Sequence, residues 1–149
     1  MSASPVPPSG ASFDAVAAYW QALPLCAELD IRVEAVARGY ARLAIHRNNR
    51  SVGGVRNSLN GGVLATLAEV TAHVCLGTTL EADGAIERTQ DVSISFASSA
   101  TAARTVAEAH ALRVGRTAIA SVTITDGDDG HLNCAARVSC VLARPGAAS

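Results

Sequence analysis

The segment from Gly61 to about Leu80 constrains the fold of this 149-residue chain more than any other feature. Its apolar side chains recur at helical spacing, which predicts one long helix. Val63, Leu67, Val70 and Val74 fall on one line of that helix and form a predicted sheet-facing stripe, with small residues such as Cys75 on the back. A helix that is apolar on nearly all sides cannot lie on a protein surface, so it needs a sheet wrapped around it.

The rest of the chain supplies the strands for such a sheet. A short helix is predicted over residues 13–23, with Ser12 as its N-cap and Pro24 closing it. Two strands precede the long helix and are joined by a hairpin at Arg38-Gly39. Four strands follow the long helix. The predicted strands are 30–36, 40–46, 88–96, 104–114, 117–125 and 132–143. The order predicts an α+β fold in which an antiparallel sheet wraps a long central helix.

Length and composition predict a single domain over residues 13–143. Residues 1–12 are rich in Ser, Pro, Gly and Ala and are predicted to be disordered, and 144–149 to form a flexible tail. The net charge is −1, so no general field draws the chain to nucleic acid or to a membrane. No apolar run reaches the roughly 18 residues of a membrane span. The N-terminus lacks the pattern of a secretory signal, so a cytoplasmic location is the default expectation.

The four cysteines show no metal-binding spacing. Cys134 and Cys140 share one face of the last predicted strand, so both are expected inside the core. Reduced, buried thiols are the favoured interpretation for all four. The acidic turn at 126–130 lacks the distal glutamate of a calcium loop. We therefore expect neither a metal nor another cofactor.

Glu69 is the one carboxylate on the predicted long helix, and it has two interpretations. It could be a solvated residue paired with His73 one turn later, which would add a few tenths of a kcal/mol. Three features favour a functional carboxylate instead. The residues around Glu69 are almost all apolar, the helix start offers backbone amides, and a long polar loop, residues 47–59, leads to that start.

The start of the long helix also has two interpretations. Asn60 is a good N-cap and the glycines after it ease a tight turn. Alternatively, the free N–H groups of Gly61 and Gly62 could stabilise a developing oxyanion. Gly61 and Glu69 are separated by about two turns, or roughly 12 Å of helix rise. One chain therefore cannot bring both groups to one carbonyl, and a catalytic site would need an antiparallel helix from a second subunit.

Residues 60–69 (NGGVLATLAE) resemble the H-G-G-x-x-x-x-L-x-D/E stretch of hotdog-fold thioesterases. The likeness is greatest to the phenylacetic-acid-pathway and 4-hydroxybenzoyl-CoA types. Residues 89–92 (TQDV) and 96–100 (FASSA) resemble the next strand of that family and the turn after it. The element order matches as well. This chain departs from the family pattern at Asn60, where a histidine is usual, and at Gly54, where Asn or Gln is frequent.

The resemblance implies roles for individual residues. Glu69 would be the nucleophile or the general base, and Gly61, capped by Asn60, would polarise the thioester carbonyl. Thr89 would orient water or the carboxylate. Asn57 could substitute for the amide missing at Gly54. The implied substrate contacts are Asn57, Gly62, His73, Gly115 and Arg116, the last two at the nucleotide end of coenzyme A, where a guanidinium suits phosphate.

Three functions remain open. The first is a thioesterase that hydrolyses an acyl-CoA, working as a homodimer with shared active sites or as a dimer of dimers. The second is a hotdog hydratase or dehydratase acting on an enoyl or 3-hydroxyacyl thioester. The third is a non-catalytic acyl-CoA-binding protein. The acyl group cannot be read from the sequence.

Overall fold

A computed structural model of the chain describes residues 6–7, 9–46, 57–81 and 83–143. Its elements follow the predicted order, with one extra short helix near the N-terminus. The elements are α1 (Phe13–Gln21), α2 (Pro24–Leu29), β1 (Ile31–Ala37), β2 (Tyr40–His46), α3 (Gly61–Gly77), β3 (Ala85–Phe96), β4 (Arg104–Arg113), β5 (Thr117–Asp126) and β6 (Leu132–Ala143).

The six strands form one antiparallel sheet in the order β1-β2-β4-β5-β6-β3. Helix α3 packs across it and touches all six strands. The period-two pattern explains this packing, because alternate side chains point to opposite faces of a strand. On β5, the residues of the inner face are all buried, namely Ala118, Ala120, Val122 and Ile124. The predicted α+β arrangement is confirmed.

The buried face of α3 is wider than predicted. Leu67, Val70 and Val74 of the predicted stripe are buried, and only Val63 is partly exposed. Leu64, Ala68 and Cys75, which were expected on the back, are almost fully buried as well. The Cys75 thiol bonds to the backbone at Ala111 on β4, so the residue expected on the back faces the sheet. A helix that is apolar nearly all round gives hydrophobicity little means of choosing a direction. The polar sector would have been the better guide, because it lies opposite the buried face.

The ends of α3 follow from local chemistry. Asn60 caps the start as predicted, since its side chain accepts a hydrogen bond from the Gly62 N–H at 2.8 Å. The helix ends at Gly77, a few residues before the predicted end near Leu80. The hydroxyls of Thr78 and Thr79 donate to carbonyls three residues back, each at 2.6 Å. These side-chain bonds satisfy carbonyls that further helical turns would otherwise have used.

The N-terminal region differs from the prediction at Pro24. Ser12 caps α1 as predicted, but Pro24 begins the second helix α2 rather than only closing the first. Proline suits the first turn of a helix, because its missing N–H has no partner there anyway. Asp30 then ends α2 with φ +54°, so β1 starts at Ile31, one residue later than expected. Within the predicted tail, the Ser9 N–H donates to the Leu80 carbonyl at 2.9 Å.

The other predicted boundaries are close to those observed. β2 and β6 match, β4 ends one residue early, and β5 runs one residue longer. β3 begins at Ala85, three residues before the predicted start, and forms one edge of the sheet. All four cysteines are free and buried, as predicted. The predicted tails at 1–5 and 144–149 and most of the loop 47–59 lie outside the described residues.

Candidate active site

The middle of α3 brings Glu69 and His73 against the edge strand. The two side chains lie one turn apart and are both partly buried. His73 Nε2 is 2.7 Å from the Thr89 hydroxyl oxygen on β3. Thr89 pairs in register with Cys140 on β6, and its side chain also bonds to that thiol. The structure therefore joins three of the predicted site residues in one cluster and adds Cys140 to it.

Burial controls the charges in this cluster. It lowers the pKa of His73, and the neighbouring Glu69 opposes that shift. Burial also raises the pKa of the Cys140 thiol, an effect that the Thr89 hydrogen bond reduces and Glu69 reinforces. At neutral pH the imidazole is therefore neutral and the thiol keeps its proton.

Glu69 itself is unpaired within the part of the chain that the structure describes. No hydrogen bond or ion pair to its carboxylate occurs among those residues, although it acts electrostatically on His73 and Cys140. Most partly buried carboxylates are paired, because losing water costs free energy. A carboxylate with free lone pairs beside a hydroxyl can accept a proton from water or attack an electrophile.

The N–H groups of the two glycines at the start of α3 differ in their hydrogen bonding. The Asn60 side chain occupies the Gly62 N–H, while the Gly61 N–H has no partner among the described residues. Gly61 is also exposed. Of the two amides predicted to stabilise an oxyanion, the one at Gly61 is free to do so. A role for Gly62 in substrate binding stays a prediction.

A cavity of about 310 Å³ opens at this helix start. Gly61 and Leu64 form one side, and residues 96–100 of the β3–β4 turn form the other. Phe96 has 55% of its surface exposed, and its ring lies 3.6 Å from the position a Cβ at Gly61 would occupy. An exposed aromatic ring beside a free amide gives this cavity both an apolar wall and a hydrogen-bond donor.

Gly115 and Arg116 line a second cavity, of about 430 Å³, at the opposite end of α3. Arg38 from the β1–β2 hairpin and Glu81 line it too. Thr79, in the same lining, follows the end of α3 at Gly77, and Gly77 is eight residues beyond Glu69, or about 12 Å of helix rise. Gly115 and Arg116, named from the sequence as nucleotide contacts, therefore lie near the C-terminal end of α3 and away from Glu69.

The remaining predicted residues belong to the loop before α3. Asn57 is exposed and has a left-handed backbone with φ +57°, a conformation that asparagine tolerates better than most residues. Gly54 lies outside the described residues, so the expected substitution of Asn57 for its missing amide stays a prediction. No group of acidic, histidine or cysteine side chains within the described residues is arranged to hold a metal ion.

Three residues in these sites were missed by the sequence reasoning, namely Cys140, Phe96 and Arg38. Cys140 joins Thr89 only through the pairing of β3 with β6, two strands far apart in sequence. Phe96 belongs to the stretch 96–100 that resembles a turn of the family, but its position beside the start of α3 was not predicted. Arg38 was predicted only as part of the β1–β2 hairpin. Its guanidinium group next to the turn residue Gly39 was the feature that could have indicated a place in the cavity lining.

Comparison with known proteins agrees with this architecture. The family model described as "Thioesterase superfamily" matches residues 56–132, just over half of the chain. No curated protein matches at a significant level. Also, no helix within the described ranges is long and apolar enough to cross a membrane.

Solved thioesterase structures share the fold. A thioesterase from Haemophilus influenzae superposes with a TM-score of 0.83 at 15% identity, over 95% of this chain and 96% of that one. A mutant thioesterase from Pseudomonas aeruginosa gives 0.79 at 20% identity, over 90% and 95%. Zebra fish thioesterase superfamily member 2 gives 0.77 at 20%, over 90% and 100%. The antiparallel sheet around α3 is thus a hotdog fold, and the chain belongs to the thioesterase superfamily.

Proposed function

We propose that the protein is an acyl-CoA thioesterase, of the type acting in phenylacetic-acid or 4-hydroxybenzoyl-CoA metabolism, that releases a free acid and coenzyme A. The observation that carries the proposal is the Glu69 carboxylate, which has no partner among the described residues and lies one turn before His73, the residue bonded to the Thr89 hydroxyl. The free amide at Gly61 supplies the second requirement of acyl transfer, a donor for the oxyanion. Membership of the thioesterase superfamily supports hydrolysis of an acyl thioester in general.

The proposed site is shared between two subunits. Gly61 and Glu69 are about 12 Å apart along one helix, so they cannot act on one carbonyl within a chain. Strand β3 supports pairing with a second copy, because it is twelve residues long and forms an edge of the sheet. Long open edges are normally covered or paired. In an antiparallel dimer, Gly61 of one subunit would meet Glu69 of the other. A dimer of dimers is compatible with this arrangement.

The proposed reaction needs only groups that the chain supplies. The Gly61 N–H donates to the thioester oxygen, and that bond strengthens as negative charge develops there. Glu69 takes a proton from water, whose oxygen attacks the carbonyl carbon. The tetrahedral intermediate then breaks its carbon–sulfur bond, and the thiolate leaves and takes up a proton. If Glu69 attacks the carbonyl carbon instead, the carbon–sulfur bond breaks and coenzyme A leaves as the thiolate, and water then cleaves the acyl anhydride to free acid and Glu69.

The nucleotide end of coenzyme A is assigned to the cavity containing Arg116 and Arg38. Two guanidinium groups near one cavity provide charge and a fork geometry suited to phosphate oxygens. Gly115 beside them has nothing closer than 3.8 Å to the position of a Cβ. Its lack of a side chain is therefore not required for packing, and it leaves room for a ligand. The cytoplasmic location is the expected setting for an acyl-CoA substrate.

A hydratase acting on an enoyl thioester is the second candidate, because His73 lies beside Glu69 and could share proton transfer. Its histidine stands on the same helix as the carboxylate and bonds to Thr89, rather than facing Glu69 across an open space. Conversion of crotonyl-CoA without thiol release would favour this alternative.

The test of the proposed function is thiol release over a panel of short, long and aryl acyl-CoA substrates, for wild type and Glu69→Gln. Loss of this carboxylate should reduce kcat by about 10²–10⁴-fold, the usual contribution of a general base. Circular dichroism and the melting temperature control for folding. Turnover by Glu69→Gln at the wild-type rate would overturn the mechanism. Binding of acyl-CoA in calorimetry, with no thiol released from any substrate, would identify a non-catalytic binder.

A further inference from the structure

We propose that His73 is a positioning residue, which acts by fixing the direction of the Thr89 hydroxyl through the bond between His73 Nε2 and Thr89 Oγ1. This inference rests on the proposed thioesterase function. It assigns His73 a role in holding the attacking water rather than in contacting the substrate.

The surroundings of His73 hold its ring in one place. The side chain projects from α3, and its ring centroid is 6.4 Å from that of Trp20 on α1, with the planes at 55°. On its other side, Nε2 is 2.7 Å from the Thr89 oxygen. The ring is therefore packed between a neighbouring helix and the edge strand. A side chain held on both sides loses little further freedom when it orients a partner.

The hydrogen-bonding capacity of Thr89 decides the direction of this bond. A hydroxyl has one proton to donate and two lone pairs that accept. Among the described residues, its neighbours are the imidazole nitrogen of His73 and the sulfur of Cys140. Because burial keeps the Cys140 thiol protonated, its S–H donates to Oγ1, and only a thiolate would draw the hydroxyl proton to sulfur. The hydroxyl therefore donates to Nε2, which requires the proton of the neutral ring to be on Nδ1. One lone pair of Oγ1 is then left to accept a hydrogen bond from water.

This arrangement orients a water molecule for attack. One proton of the water would go to the Glu69 carboxylate, and the other would be held by Thr89 Oγ1. The lone pair of the water oxygen would then point away from both, toward a carbonyl. Small errors in such positioning are costly, since a 1 Å misplacement can reduce rates by about 10²-fold.

Protonation of His73 would reverse the bond. An imidazolium can only donate, so Nε2–H would point at Thr89 and turn the hydroxyl proton outward, toward the water. The titratable groups facing His73 are Glu69 on its own helix and Cys140 on β6; Thr89 and Trp20 do not titrate in this range. Burial lowers the pKa of His73, which keeps the accepting form in place at neutral pH.

The simpler interpretation is that His73 is a packing residue with a satisfied nitrogen. The two interpretations differ in what happens when only the hydrogen bond is removed. His73→Leu removes the bond and keeps an apolar side chain of similar bulk. His73→Gln keeps an acceptor near the position of Nε2 but does not titrate. Thr89→Val removes the hydroxyl and keeps the branched shape that suits a strand.

The experiment measures kcat, KM and pH profiles for these three variants, for His73→Leu/Thr89→Val, and for Glu69→Gln. We expect His73→Leu to lower kcat by about 10–100-fold with little change in KM, and His73→Gln to restore most of it. The double variant should be no slower than Thr89→Val alone, because His73 acts through Thr89. As pH falls below the ordinary histidine pKa of about 6.5 to the acid limit of folding, the wild type should lose kcat more steeply than His73→Gln, as expected for one extra titrating group.

Additive effects in the double variant, or wild-type kcat in His73→Leu, would overturn the inference. If His73→Leu fails to fold, the comparison of His73→Gln with wild type across the pH range still decides it, because equal profiles contradict the role. Glu69→Gln distinguishes failure of the proposed thioesterase mechanism from failure of the positioning role of His73. If that variant is inactive while His73→Leu is not impaired, only the positioning role fails; if that variant is fully active, the proposed mechanism fails.

Discussion

The start of α3 and its middle are built in opposite ways. The start, around Gly61, is exposed, opens into a cavity and presents a backbone amide that has no partner among the described residues. The middle, around Glu69, is partly buried and packed against β3, β6 and the side chain of Trp20. One region offers a backbone donor and the other offers a carboxylate. In the proposed dimer, each chain would contribute one of these groups to each of two sites.

The strongest test of the helix start is Gly61→Pro. Gly61 is the first residue of α3, a position where proline is favoured and its missing N–H costs the helix nothing. Asn60 before it has φ −60° and ψ 139°, which a residue preceding proline readily adopts. The variant should fold, yet lose kcat by about 10²–10³-fold, because its oxyanion donor is gone.

Gly61→Ala is the matched control. It adds a methyl group 3.6 Å from the Phe96 ring, an ordinary contact, and keeps the N–H. Its kcat should stay within a few-fold of wild type. If Gly61→Pro and Gly61→Ala were equally active, the Gly61 amide would not be the oxyanion donor. The start of α3 would then have no catalytic role to set beside that of Glu69.

A smaller effect is expected at the far end of α3, from Arg116→Gln. Loss of one phosphate contact should raise KM for acyl-CoA by about 5–20-fold and leave kcat nearly unchanged, because the contact is the same in ground and transition states. Arg137→Gln, an equal charge change at an exposed position that lines neither of the two cavities described above, serves as the control. Equal KM values for the two variants would contradict the assignment of the coenzyme A nucleotide to this cavity.

The smallest expected effect concerns stability in the middle of α3. The folded-state pKa of His73 is lowered, so the unfolded chain binds this proton more readily. Stability is then complete above the ordinary histidine pKa of about 6.5 and falls as pH drops through that value toward the folded-state pKa. Urea unfolding between pH 5 and 8 should show this loss in wild type and a weaker one in His73→Gln. A parallel pH dependence in both proteins would mean that His73 is not buried as described.

Local chemistry explains what the sequence could predict. Asn60 and Ser12 were identified as helix caps because capping depends on a residue and its next three neighbours. The strands were identified from period-two patterns, and Glu69 stood out as the one carboxylate on an apolar helix. These features depend on residues close together in the chain, so the sequence displays them directly.

Long-range pairing explains what the sequence could not predict. The contact of His73 with Thr89 depends on α3 packing against β3, and the placing of Cys140 depends on β3 pairing with β6. The full width of the buried face of α3 was not predicted, because nearly every face of the helix is apolar. Pro24 was taken as the end of a helix, although proline also favours the first turn of the next.

The central claim is that one active site takes Gly61 from one subunit and Glu69 from the other. It is tested most directly by mixing subunits that carry Gly61→Pro with subunits that carry Glu69→Gln, after unfolding and refolding them together. Each variant alone should be nearly inactive. In a two-fold symmetric dimer, a mixed pair contains one site with both native residues, so equal mixing should restore about a quarter of the wild-type kcat per dimer. Recovery near that level is the predicted result. No recovery above the two parent variants, with mixed dimers shown to form, would contradict the shared site.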